Sequence, residues 1–190
     1  MEIIIQILIT MAFSAFFSGM EIAFVSSNKL RFEMDRNEQS ITSHILSIFY
    51  QNPNNFISTM LVGNNIALVI YGILMAELIE QQLLADYISN EFLLVLTQTI
   101  ISTLIILVTG EFIPKTLFKI NPNFTLSLFA IPSFICYIVL YPISKFASGI
   151  SGILLRLTGT KVNKEASAKA FTKVDLDHFI QSSIENSTNE

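Results

Sequence analysis

Charge is scarce in this chain: 14% of its 190 residues are Asp, Glu, Lys or Arg, against about 25% in a soluble domain. With 52% hydrophobic residues and a mean hydropathy of +0.58, that deficit points to a membrane protein. Cys136 is the single cysteine, which excludes an internal disulfide and a thiolate metal cluster. The two histidines, His44 and His178, lie in separate segments and make no zinc-type pattern. No Ser–His or paired-aspartate arrangement stands within the apolar runs, so an intramembrane enzyme is not expected. The net charge of −4 says little, because the basic residues matter here by position rather than by sum; no nucleic-acid partner is expected. The first apolar run lacks a basic leader and an A-x-A-like end, and reads as a permanent span rather than a signal peptide.

Three uncharged runs are long enough to cross a bilayer, which takes about 20 residues. They are Ile3 to Met20, Phe56 to Ala76 and Phe92 to Gly110. Asn28 to Gln51, between the first two, carries its apolar residues at three- and four-residue spacing and reads as one amphipathic surface helix. Asn52-Pro53-Asn54 ends it. The connector Glu77 to Glu91 holds acids but no Lys or Arg, while Lys115 and Lys119 follow the third run. The positive-inside rule therefore places the N-terminus outside and the end of the third span inside.

Pro122 to Ser144 is uncharged and nominally long enough to cross, yet Lys119 precedes it and six basic residues follow it. The charge pattern favours two short helices that dip in and return, bent at Pro132; a fourth true span is the alternative. Phe146 to Leu157 is amphipathic. From Gly159 the chain turns polar, and residues 161–190 read as a cytoplasmic linker with a capping-box helix starting at Thr172. The expected class is an all-α, multi-pass membrane protein of three transmembrane helices plus a cytoplasmic-side re-entrant or belt helical hairpin, N-terminus out and C-terminus in.

The polar residues inside these spans are oxygen donors. In Thr109-Gly110-Glu111-Phe112-Ile113-Pro114, Pro114 has no N–H for the carbonyl of Gly110 four residues back. Beside that carbonyl stands the carboxylate of Glu111, costly at a membrane edge without a partner. The first span adds Ser14, Ser18, Gly19 and Glu21, the serines and the carboxylate sharing one face. Serines commonly bond back to their own helix, and that reading stands beside the functional one. The second span adds Gly63-Asn64-Asn65, adjacent amides that cannot share one face. The third adds Thr97, Gln98, Thr99, Ser102, Thr103 and Thr109, a polar stripe or a set of interhelical bonds. Hydroxyls, amides, a carbonyl and two carboxylates suit a hard cation such as Mg²⁺, Na⁺ or Ca²⁺.

Taken in order, Ser18-Gly19-Met20-Glu21-Ile22-Ala23, Gly63-Asn64-Asn65 and Gly110-Glu111-Phe112-Ile113-Pro114-Lys115 resemble the transmembrane domain of the CNNM (cyclin M) and CorC family over residues 1–160. The resemblance implies a homodimer in the plasma or inner membrane, with a belt of short cytoplasmic helices where the Pro132 hairpin falls. It implies Mg²⁺ efflux driven by Na⁺ entry, with Ser18, Asn64 or Asn65, the Gly110 carbonyl and Glu111 as ion ligands. Glu21 would belong to the same cluster or to a coupling site. Where such proteins carry a further asparagine one turn after Asn64, this chain has Leu68, which leaves the ligand set one amide short. The resemblance also implies cytoplasmic CBS domains in a longer chain. A non-transporting anchor, or an Mg²⁺ sensor docking a cytoplasmic partner, is the alternative function.

Overall fold

The computed structural model describes residues 2–35, 40–79 and 90–157. The reading of residues 161–190 as a linker, its helix at Thr172 and most of the acidic connector lie outside the described residues. Among the described residues the chain is helical, with no strand. Helix α1 is Glu2–Ser26, α2 Lys29–Asp35, α3 Ile41–Gln51 and α4 Pro53–Ile79. Helix α5 (Glu91–Ile106) runs through a π-helical turn (Leu107–Phe112) into α6 (Ile113–Ile120), and α7 (Pro122–Leu128) and α8 (Ala130–Leu157) follow.

Among the described residues four stretches are long and apolar enough to cross a bilayer: Glu2–Ser26, Pro53–Ile79, Glu91–Ile120 and Ala130–Ala147. The first three extend the runs read from sequence, because a helix continues through polar residues once its apolar centre has nucleated it. Exposed Ile4, Ile5, Leu8, Ile9 and Phe13 on α1, and Phe92, Leu93, Val95 and Leu96 on α5, are ordinary for helices in contact with lipid.

Helix α1 is the centre of the fold, packing on α4 along its length and on the π turn, α6 and α7. Two glycines permit this. A β-carbon on Gly63 would stand 2.7 Å from the ring of Phe17, and one on Gly19 2.6 Å from that of Phe118. Gly19 is thus a contact point between helices. At one end of the bundle, Phe24, Tyr50, Phe49, Phe56 and Tyr137 form a buried aromatic core. Its ring centroids lie 4.7 Å apart for Phe24–Phe56 and 5.6 Å for Phe49–Tyr137, within the range at which aromatic pairs attract, and Phe49 and Phe56 pack closer still at 4.2 Å. Nearer the other end, Ile7, Tyr71, Met75, Ile79 and Ile106 make a second cluster.

Three expectations change. The surface segment 28–51 is not one helix: Ser40 has an extended backbone (φ −84, ψ 128) and α3 starts afresh after it. Nor does Pro132 bend a hairpin. The break falls at Phe129, the C-cap of α7 (φ −99, ψ 14), and Pro132 sits in the first turn of α8. There backbone N–H groups have no helical partner anyway, so a proline is tolerated. Phe146 to Leu157 continues α8 rather than forming a separate segment.

Candidate functional site

Pro114 does not end the third long helix. The amide of Ile113 reaches back five residues to the carbonyl of Val108, and the widened π turn carries the chain past the position where proline offers no donor. Such turns cluster where a helix must present its backbone. Gly110 is buried within this turn. A β-carbon there would stand 2.6 Å from Ile106 Cδ1 and 3.2 Å from Ser14 Oγ, so the bare glycine leaves room for α1 at this approach.

Ser14 is also where α4 arrives. Its Oγ donates to Asn64 Oδ1 at 2.8 Å, with Ser14 fully buried and Asn64 5% exposed. Three chain segments thus meet at Ser14, Asn64 and Gly110. Ser18, one turn further along α1, is fully buried as well, and its Oγ has no hydrogen-bond partner. A buried hydroxyl left unpaired costs ~1–3 kcal/mol. The expectation that these serines bond to their own helix holds for neither.

The carboxylates lie at the margin of this junction. Glu111 keeps 27% of its side chain exposed and pairs with Lys115 at 3.7 Å, one turn on. Glu21 is half-buried and within electrostatic reach of both Lys115 and Glu111. Asn65 is exposed on the face of α4 away from Asn64. Among the expected site residues, the structure brings Asn64 and Gly110 together at Ser14, sets Ser18 one turn away and puts Glu111 and Glu21 at the edge. Asn65 points elsewhere.

Three hydroxyls of the third long helix bond within that helix rather than across to another. Thr99 bonds Val95 O at 2.7 Å, Ser102 bonds Thr99 O at 3.2 Å and Thr109 bonds Ile105 O at 2.6 Å, all within their own helix. Among the described residues no group of three His, Cys, Asp or Glu could hold a metal; what gathers is neutral oxygen with carboxylates beside it. The four-residue spacing of Ser14 and Ser18 already set both serines on one face; the bond from Ser14 to Asn64 on another helix carried no sign in the sequence.

A multi-pass helical membrane domain, its buried polar groups converging on a π turn, is the class these observations define. The chain matches the profile of the Cyclin M transmembrane N-terminal domain over residues 4–190, and it belongs to that family. It is 29% identical over 150 residues to UPF0053 protein MG146 homolog of Mycoplasma pneumoniae, covering 77% of this chain and 34% of that protein. It is 27% identical over 150 residues to UPF0053 protein MG146 of Mycoplasma genitalium, with the same coverage. The chain therefore spans about a third of the length of the curated relatives it matches.

Proposed function

We propose that this domain carries Mg²⁺ across a cell membrane, moving it outward against the entry of Na⁺. The observation that carries the reading is the fully buried, unpartnered Oγ of Ser18 beside the Ser14–Asn64–Gly110 junction. An oxygen that forfeits water without gaining a donor is suited to a cation. Ser18, Asn64, the Gly110 carbonyl and Glu111 act as ligands, with Glu21 close enough to stabilise a second charge. Asn65, exposed on α4, is the member of the asparagine pair left out of this set. A small dehydrated Mg²⁺ requires compact, near-octahedral oxygen ligation, which residues from three helices can supply.

In this reading α1, α4 and the α5–α6 rod cross the bilayer, with the N-terminus outside and α7 and α8 forming a cytoplasmic belt. The domain works as a homodimer and, in longer chains, beneath CBS domains. It binds no nucleic acid and catalyses no covalent step. A second reading, a non-transporting anchor or Mg²⁺ sensor, draws on the same junction: the Ser14–Asn64 bond and the Glu111–Lys115 pair spend some of these groups on one another. Mg²⁺ titration of the purified domain tests the site. Ser18→Ala and Glu111→Ala should each abolish Mg²⁺ protection against thermal unfolding while leaving the ion-free melting point near that of the parent. Unchanged protection in both variants would refute the ligand assignment.

A further inference from the structure

We infer that Ser14 is the positioning residue that turns the Asn64 amide so that its oxygen, and not its NH₂ group, faces the ion. This rests on the reading of Asn64 as a ligand. The observation behind it is where Ser14 sends its proton. Four threonines in these helices bond back along their own helix: Thr10 to Gln6 and Ile7, Thr59 to Asn55, Thr99 to Val95, Thr109 to Ile105. That is the ordinary habit of Ser and Thr in helices. Ser14 departs from it, donating across to Asn64 Oδ1 at 2.8 Å.

The consequence follows from the amide's two-faced chemistry. Its ends are nearly alike in shape, but one accepts and the other only donates. A cation is attracted to the first and repelled by the hydrogens of the second. A buried amide without a fixed donor can flip, and half of its orientations are useless to a cation. With the Ser14 proton on Oδ1, the oxygen is held at the junction and its second lone pair remains for a ligand bond. Gly110 makes this possible, because a β-carbon there would press on Ser14 Oγ at 3.2 Å. Partners that orient a ligand in this way typically account for about 10–100-fold in metal affinity.

The test compares Mg²⁺ affinity in two backgrounds, using the whole chain in detergent. In the parent, Ser14→Ala should weaken Mg²⁺ binding by about 10–100-fold, and Ser14→Cys, which keeps the volume but donates weakly, should do the same. An Asn64→Asp variant presents an oxygen whichever way it turns, so adding Ser14→Ala there should cost no affinity. Unchanged Mg²⁺ binding in Ser14→Ala or Ser14→Cys would overturn the inference. So would an equal loss in both backgrounds, which would mark Ser14 as a packing residue or an independent ligand. If Asn64→Asp melts like the parent yet binds no Mg²⁺, and Asn64→Ala binds it normally, the ligand reading of Asn64 falls and this inference with it.

Discussion

The missing side chain of Gly19 and the ring of Phe118 occupy one place: a β-carbon on Gly19 would stand 2.6 Å from the ring. Helix α1 is thereby seated against α6, the segment just beyond the π turn. Gly19→Ala should lower unfolding stability by about 1–3 kcal/mol, the usual cost of overpacking. Phe118→Leu in the same chain should recover part of it. Denaturation of the four members of that cycle in detergent measures the coupling; additive losses would separate the two residues.

Tyr71 ties α4 to α5 through its hydroxyl, which donates to the carbonyl of Ser102 at 3.0 Å. Tyr71→Phe keeps the ring in its apolar cluster and removes only that bond. A loss of about 0.6 kcal/mol is expected, the average for polar contacts between membrane helices. Mg²⁺ binding should not change, since the contact lies away from Ser14 and Asn64.

The π turn depends on Pro114. Pro114→Ala restores the missing N–H and lets residues 107–112 return to α-helical register, which rotates Gly110 and Glu111 against Ser14. Helix content by circular dichroism should hold or rise slightly, while Mg²⁺ protection is lost. Retention of full Mg²⁺ protection would show that the turn does not set the site.

Lys115 sits 3.7 Å from Glu111 with both side chains partly exposed, a pair worth at most about 0.5 kcal/mol. Lys115→Ala should leave the melting point nearly unchanged. Its ammonium repels a cation approaching Glu111, so Mg²⁺ affinity should increase, and a titration at low ionic strength shows the effect best.

The three long apolar rods were legible because lipid leaves an uninterrupted record: a span cannot hold charge without a reason. The special character of Gly110 was legible too, since proline at 114 removes a definite hydrogen bond. What sequence could not disclose was the remedy. A kinked or broken helix and a π turn differ only in which carbonyl Ile113 finds, and packing against α1 decides that. Pro132 misled because its place within an apolar run says nothing of where a helix begins. The break before Ile41 had a local sign in Ser40, a favoured residue at helix starts. The partner of Ser14 lay hidden because it is 50 residues away and the choice between Asn64 and its own helix is made only when the helices cross.

The most direct test of the account is Mg²⁺ flux in proteoliposomes carrying the whole chain under an imposed Na⁺ gradient, read with an internal Mg²⁺ indicator. Mg²⁺ should move opposite to Na⁺, and Glu111→Ala should abolish that movement in protein that inserts and melts like the parent. Internal Mg²⁺ that stays flat with the parent protein, or moves equally with Glu111→Ala, would contradict it.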